Sequence, residues 1–157
     1  VISSPLLRAR QTAEIIAEAL HSPLELDPLW MERDNGSLRG MPLAEVDERL
    51  YPRSAQHNPY QPTGETGESQ FDLYLRGGGA LQRLLRHPPG RYLVVAHGGI
   101  LNMVLYAILG IAPTPMNQGP RFRFQNTAFA SLTYNPDEHL WRLLRLNDRS
   151  HWPGGSE

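Results

Sequence analysis

The sequence YLVVAHGG, residues 92–99, ends an apolar run in a histidine and a pair of glycines. The apolar run is typical of a strand buried in a parallel sheet. Residues 100–109 continue as an apolar-periodic segment and predict a helix. His97 is therefore expected at the carboxyl end of a strand and beside a helix N-terminus, where α/β sheets bind ligands and helices attract phosphate. A histidine satisfied by the backbone of a strand-to-helix turn is the alternative interpretation.

The composition is that of an ordinary globular chain, with 157 residues, 40% hydrophobic, 20% charged and a net charge of −1. This length predicts a single domain with a substantial core. The near-neutral charge argues against a broad basic surface, so we expect no nucleic-acid partner. No apolar run approaches the roughly 18 residues that a membrane helix needs, so we expect no membrane partner.

Cysteine and lysine are both absent from the sequence. Without cysteine there can be no disulfide, thiolate nucleophile or cysteine-based zinc site, and this composition fits a cytoplasmic protein. All fifteen basic residues are arginines, so P-loop and Schiff-base lysines are ruled out and anion chemistry falls to arginine and histidine. The six histidines show no metal-ligand spacing, so we expect no metal and no cofactor.

The N-terminal residues predict a second strand and a helix on the same sheet edge as His97. Residues 1–3 look like the end of a strand, and Ser4 followed by Pro5 is typical of a helix start, with Ser4 as the N-cap and Pro5 at the first helical position. Arg8 then falls in the first helical turn, near His97 if the two strands are parallel. Prolines interrupt residues 33–66, which we interpret as a lid-like insertion.

The rest of the chain predicts helices and short strands. Residues 69–86 predict a long helix, with a weakened turn at Gly77–Gly79 because each glycine costs roughly 1 kcal/mol relative to alanine. Residues 121–125 alternate like a strand, residues 128–134 and 140–146 predict a hairpin, and residues 151–157 predict a flexible tail. The expected fold is α/β, a three-layer α/β/α sandwich with a mixed, mostly parallel sheet, in one domain over residues 1–150.

Three segments in this order resemble the histidine phosphatase superfamily, which has the phosphoglycerate mutase-like fold. They read SSPLLRARQTA (residues 3–13), ERDNGSLRG (residues 32–40) and VVAHGG (residues 94–99). The sequence GES (residues 67–69) before a helix with Arg76, and LNDRSH (residues 146–151), are similar to the small, cofactor-independent phosphatase branch. Each motif alone is weak, but their joint order covers nearly the whole chain.

The resemblance implies a phosphomonoester hydrolase that acts on a small phosphorylated metabolite through a phosphohistidine intermediate. Arg8 matches the family's phosphate-clamping arginine, and His97 matches its second histidine. Glu32 matches the carboxyl group that protonates the leaving oxygen and then activates water. The backbone N–H of Gly98 is a further candidate phosphate donor at the helix start. Alternatively, Arg8 and Glu32 are solvated surface side chains.

The sequence departs from the family at its signature, because it contains no Arg-His-Gly. That motif ends the family's first strand and carries the nucleophilic histidine. We therefore expect the first strand and nucleophile to be missing from these residues, and the 157 residues alone to have no hydrolytic turnover.

Two alternative functions stay open at this point. The first is a phosphoglycerate mutase, although only 65 positions separate Glu32 from His97 and mutases of the family generally carry longer insertions there. The second is a non-catalytic phosphate-binding homologue that keeps Arg8 and His97. A homodimer is possible with either function.

Overall fold

The computed structural model describes residues 1–46, 58–115 and 119–153. Part of the expected lid-like insertion 33–66 and part of the expected tail 151–157 therefore lie outside the described residues. The chain divides into two compact units, Val1–Gly119 and Pro120–Glu157. No helix among the described residues is long and apolar enough to cross a membrane. The single domain over residues 1–150 stays a prediction.

Over residues 1–46, 58–115 and 119, the first unit contains three short parallel strands and three α-helices. In chain order they are β1 (Ile2–Ser3), α1 (Leu7–Ala19), β2 (Glu25–Leu26), α2 (Gln70–Leu84), β3 (Val94–Val95) and α3 (Gly98–Leu109). Strand β1 lies between the other two and pairs with both in parallel, so that Ile2 is opposite Glu25 on one side and Val94 on the other. The α/β class is therefore confirmed.

The parallel pairing of β1 and β3 brings two distant chain segments to one sheet edge. Ser3 is opposite Val95, so the helices that follow both strands begin at the carboxyl ends of adjacent strands. Helix α1 begins at Leu7, with Leu6 as its N-cap, so the expected cap at Ser4 is wrong. The side chain of Ser4 instead turns toward the end of β3, and its role is described below.

Helices α2 and α3 pack against the sheet and against each other. The core cluster joins Ile2 of β1 and Trp30 to Ala80 of α2 and Val104 of α3. Ser69 and Asp72 form a reciprocal capping box that starts α2 one residue later than the sequence predicts. The core contact packs α2 against Trp30, two residues before Glu32.

The glycine run does not distort α2, and the energetic weakening expected there stays a prediction. Helix α2 is continuous through Gly77–Gly79 because Gly77 lies directly against α3. A Cβ atom on Gly77 would lie 3.1 Å from Met103 Cβ and 3.2 Å from Val104 N, whereas one on Gly78 would meet nothing within 4 Å. Gly77 thus allows the two helices to approach closely.

We expect Gly77→Leu to destabilise the protein by about 2 kcal/mol, because the larger side chain would overpack the α2–α3 contact. The matched variant Gly78→Leu is expected to be neutral or stabilising, since it fills open space and improves helix propensity. Chemical denaturation of the two variants measures the difference. Equal stabilities would contradict a packing role for Gly77.

The second unit is built on an antiparallel hairpin of β4 (Phe129–Asn135) and β5 (Leu140–Asp148), which form their own two-stranded sheet. The hairpin agrees with the sequence prediction, and Tyr134 and Trp141 stack across it with ring centroids 4.7 Å apart. Residues 121–125 have no strand structure, so the strand predicted there is wrong. An alternating sequence pattern does not form a strand unless another strand lies beside it to pair with.

Candidate active site

His97 is the last residue before α3 and immediately follows the end of β3. It is the N-cap residue of that helix and is only 8% exposed. Its Nε2 atom lies 2.9 Å from Ser4 Oγ, and Ser4 is fully buried. The hydroxyl also accepts a hydrogen bond from the backbone N–H of Leu6 at 3.3 Å. Ser4 therefore fixes the orientation of the imidazole, a role that the sequence alone did not reveal.

The surroundings of His97 favour its neutral form. Burial is the largest cause of a pKa below the ordinary value of 6.5, and the positive charges of Arg8 and Arg76 lower it further. The carboxylate of Glu32 acts in the opposite direction and raises the pKa of His97. Side chains from α1, α2 and the segment before residue 33 therefore all act electrostatically on one imidazole.

This pKa shift predicts how stability depends on pH. As pH falls below 6.5, the unfolded chain takes up a proton at His97 before the folded protein does. The contribution of His97 to the free energy of unfolding is therefore fully present above pH 6.5, and it is lost as pH falls through the pKa of His97 in the folded protein. We expect an NMR titration of the His97 ring to give a pKa below 6.5, and a value at or above 6.5 would contradict this account.

Glu32 lies against the N-terminus of α3. Its Oε2 atom accepts a hydrogen bond from the backbone N–H of Gly99 at 3.0 Å, and its Oε1 atom accepts one from Arg33 N at 2.9 Å. The positive end of the helix favours this carboxylate. Gly98, which the sequence indicates as a phosphate donor, is the first residue of α3 and is exposed. The helix donor to the Glu32 carboxylate is Gly99.

Gly99 must lack a side chain for Glu32 to lie there. A Cβ atom on Gly99 would overlap Glu32 Oε1, 2.2 Å away, and would lie 3.0 Å from its Cδ. The second glycine of the His-Gly-Gly sequence therefore leaves the space that the Glu32 carboxylate occupies. Sequence reasoning used Gly99 only as part of a turn and did not recognise its contact with Glu32.

Arg8 lies in the first turn of α1, as the sequence predicts, and it is exposed. Its positive charge lowers the pKa of His97, whereas Glu32 lies beside His97 through its hydrogen bond to Gly99. Arg39 follows Glu32 in the chain and pairs with Asp34. Its Nη2 atom lies 2.8 Å from Asp34 Oδ1 in an exposed ion pair.

Arg76 of α2 is the most extensively bonded side chain near the site. Its Nε and Nη2 atoms donate to the two carboxylate oxygens of Glu68 at 2.8 and 2.7 Å. Its Nη1 atom donates to the backbone carbonyls of Leu29 at 2.8 Å and Met31 at 2.7 Å, and Nη2 reaches the carbonyl of Glu32 at 3.3 Å. Among sequence signals, only the Gly-Glu-Ser motif before this helix pointed to it.

Within the described part of the chain, no group of three or more histidines and carboxylates is placed to hold a metal ion. The site therefore offers a guanidinium, an imidazole, a carboxyl group and backbone N–H groups. Such groups are suited to binding a phosphoryl dianion and to moving a proton at its leaving oxygen.

Comparisons with known proteins identify the family. The uncharacterized phosphatase PhoE of Bacillus subtilis is 36% identical over 98% of this chain and 72% of its own length. The probable phosphoglycerate mutase GpmB of Cronobacter sakazakii is 33% identical over 96% of this chain and 72% of its own.

Solved structures give the same fold. A mycobacterial glucosyl-3-phosphoglycerate phosphatase with inorganic phosphate superimposes with a TM-score of 0.77 at 23% identity, over 98% of this chain and 78% of that one. Bacillus stearothermophilus YhfR gives 0.78 at 22% identity, over 96% and 74%. The family model for the histidine phosphatase superfamily (branch 1) matches residues 1–149. The chain therefore belongs to the histidine phosphatase superfamily, branch 1, whose phosphatases and phosphoglycerate mutases are its relatives.

Proposed function

We propose that this protein is a phosphomonoester hydrolase whose phosphate site contains Arg8, His97 and Glu32. Two observations support the proposal: Glu32 bonds the backbone N–H of Gly99, two residues after His97, and the positive charge of Arg8 lowers the pKa of His97. The 36% identity to a protein named as a phosphatase supports hydrolysis. A small phosphorylated metabolite is the substrate class that the proposal implies.

Each group has a distinct role in the proposed reaction. The planar guanidinium of Arg8 donates two hydrogen bonds to equatorial phosphoryl oxygens, with the Gly98 N–H as a further donor. His97, held by Ser4, stabilises negative charge on the same group as it is transferred. Glu32 in its protonated form gives its proton to the leaving oxygen, and the resulting carboxylate then takes a proton from the attacking water.

The phosphoryl group is carried between these two steps as a phosphohistidine. A ring nitrogen forms the P–N bond while the P–O bond of the substrate breaks, and water then breaks the P–N bond and releases phosphate. The 157 residues contain no Arg-His-Gly motif, so none of them is assigned as this nucleophile. A protein of these residues alone is then expected to bind phosphate without turnover.

The decisive experiment incubates the full-length gene product with an aryl phosphate and with 3-phosphoglycerate. Phosphate release from both, with an acid-labile and alkali-stable phosphoenzyme after rapid quenching, supports the proposal. Phosphate or vanadate binding without hydrolysis would instead indicate a non-catalytic homologue. Activity is expected to survive a chelator, and a large loss would overturn the metal-independent mechanism.

A phosphoglycerate mutase is the second candidate, because relatives at 33% identity carry that name. The short separation of Glu32 and His97 favours the phosphatase. Isomerisation of 3-phosphoglycerate that outpaces phosphate release would reverse this choice.

The proposal also covers the cellular location and the oligomeric state of the protein. The absence of cysteine is compatible with the reducing cytoplasm, which is where we place the enzyme. A homodimer stays a prediction, and the molar mass in solution measures it.

A further inference from the structure

Arg76 and Glu68 form a shielded ion pair behind the site. Their side chains are 20% and 14% exposed, and the guanidinium contacts both carboxylate oxygens. A pair removed from water to this degree is costly unless its remaining donors are satisfied. Here the remaining donors of Arg76 are directed to three backbone carbonyls, all in the segment that ends at Glu32.

Glu68 also bonds Asp34 and Thr63, which both lie between Glu32 and Glu68 in the chain. Its Oε2 atom lies 3.4 Å from the backbone N of Asp34, and its own backbone N–H donates to the Asp34 carbonyl at 2.8 Å. Its carbonyl accepts a hydrogen bond from Thr63 Oγ1 at 2.9 Å. The backbone on both sides of Glu32 is therefore held by one ion pair.

The Glu32 carboxylate itself accepts hydrogen bonds from two backbone N–H groups, those of Gly99 and Arg33. These side-chain bonds do not hold the backbone carbonyl of Glu32. The guanidinium of Arg76 does, since it links α2 to the carbonyls of Leu29, Met31 and Glu32, and α2 lies directly against α3 at Gly77.

We propose that Arg76, held in place by Glu68, is a positioning residue that sets the Glu32 carboxyl group for proton transfer to the leaving oxygen. This inference rests on the proposed function, in which Glu32 is the general acid. A planar guanidinium can bind a carboxylate through two nitrogens and still reach several carbonyls, which the ammonium group of lysine cannot do. A displacement of a catalytic group by about 1 Å can cost ~10²-fold in rate.

The test is Arg76→Lys in the full-length gene product, measured as kcat/KM with two substrates. An alkyl phosphate has a poor leaving group that needs a proton, whereas p-nitrophenyl phosphate has a good one that needs little. General acid catalysis contributes ~10²–10⁴-fold, so partial misplacement of Glu32 predicts about 30-fold loss with the alkyl phosphate and about 3-fold with the aryl phosphate. A merely structural defect would lower both values equally and would overturn the proposal.

Arg83→Lys is the matched control. Arg83 lies on the same helix and pairs with Glu25 and Asp27 at 3.5 and 3.4 Å, both earlier in the chain than the carbonyls that Arg76 holds. Its replacement is expected to leave both kcat/KM values within about twofold, since the Arg83 side chain is 54% exposed and lysine keeps its charge. A leaving-group bias in this variant would show that any loosening of α2 suffices, and would contradict a specific role for Arg76.

Two further variants separate this inference from the proposed function. Glu32→Gln must itself show the leaving-group bias, and its absence would remove Glu32 as the acid and so contradict the proposed function. If Glu32→Gln shows the bias and Arg76→Lys does not, only the inference fails. In the double variant that combines Glu32→Gln with Arg76→Lys, the second change is expected to cause no further loss of kcat/KM with the alkyl phosphate. Additive losses would contradict a positioning role for Arg76. Glu68→Gln, which keeps the side-chain shape, repeats the test if Arg76→Lys does not fold.

Discussion

In the full-length gene product, His97→Ala is expected to lower kcat/KM for a phosphomonoester by about 10³-fold, the upper range for loss of one preorganised donor to a developing charge. The imidazole lies at the start of α3 and is held by Ser4, so it needs no reorganisation as phosphoryl transfer proceeds. Steady-state kinetics measure the loss. Retention of at least a third of the activity would remove His97 from the mechanism.

His139→Ala is the matched control for this prediction. His139 also contacts a hydroxyl, with its Nδ1 atom 3.0 Å from Tyr134 Oη, but it is exposed in the second unit. We expect its replacement to leave kcat/KM unchanged. His97→Ala also leaves buried Ser4 without its imidazole partner, which costs about 1–3 kcal/mol of stability. Thermal unfolding must therefore accompany the kinetics, so that loss of fold is not mistaken for loss of chemistry.

The sequence predicted the frame of the candidate site because that frame depends on local patterns. An apolar run followed by His-Gly-Gly indicated the end of β3 and the start of α3, and the structure agrees. The placement of Arg8 in the first turn of α1 followed from a helix start near Pro5, although Ser4 is not the cap. Parallel strands then bring both segments to one sheet edge.

The contacts that organise the site could not be predicted, because they join residues far apart in the chain. The Ser4–His97 contact spans 93 positions, and the hydrogen bond from Arg76 to the Glu32 carbonyl spans 44. Similarly, Gly77 resembles a helix breaker until α3 is seen against it. Local propensity therefore does not reveal where tertiary packing requires a glycine.

Arg8→Lys is expected to weaken binding of inorganic phosphate and to lower kcat/KM by about 30-fold, because lysine keeps the charge but loses the bidentate fork. Arg8→Ala is expected to lose more, about 10²–10⁴-fold, since a hydrogen bond to a charged group is worth about 1.5–3 kcal/mol and two are removed. Phosphate binding by calorimetry and steady-state kinetics measure both variants.

The electrostatics of His97 provide an independent check on Arg8. The positive charge of Arg8 lowers the pKa of His97, so Arg8→Ala should raise that pKa whereas Arg8→Lys should change it little. Arg10→Lys is the control, because Arg10 lies on the same helix and pairs with Glu14 at 3.3 Å. An unchanged His97 pKa in Arg8→Ala would mean that the guanidinium lies too far from the imidazole to share a phosphate with it. Weakened phosphate binding together with a raised pKa would place both groups on the same dianion.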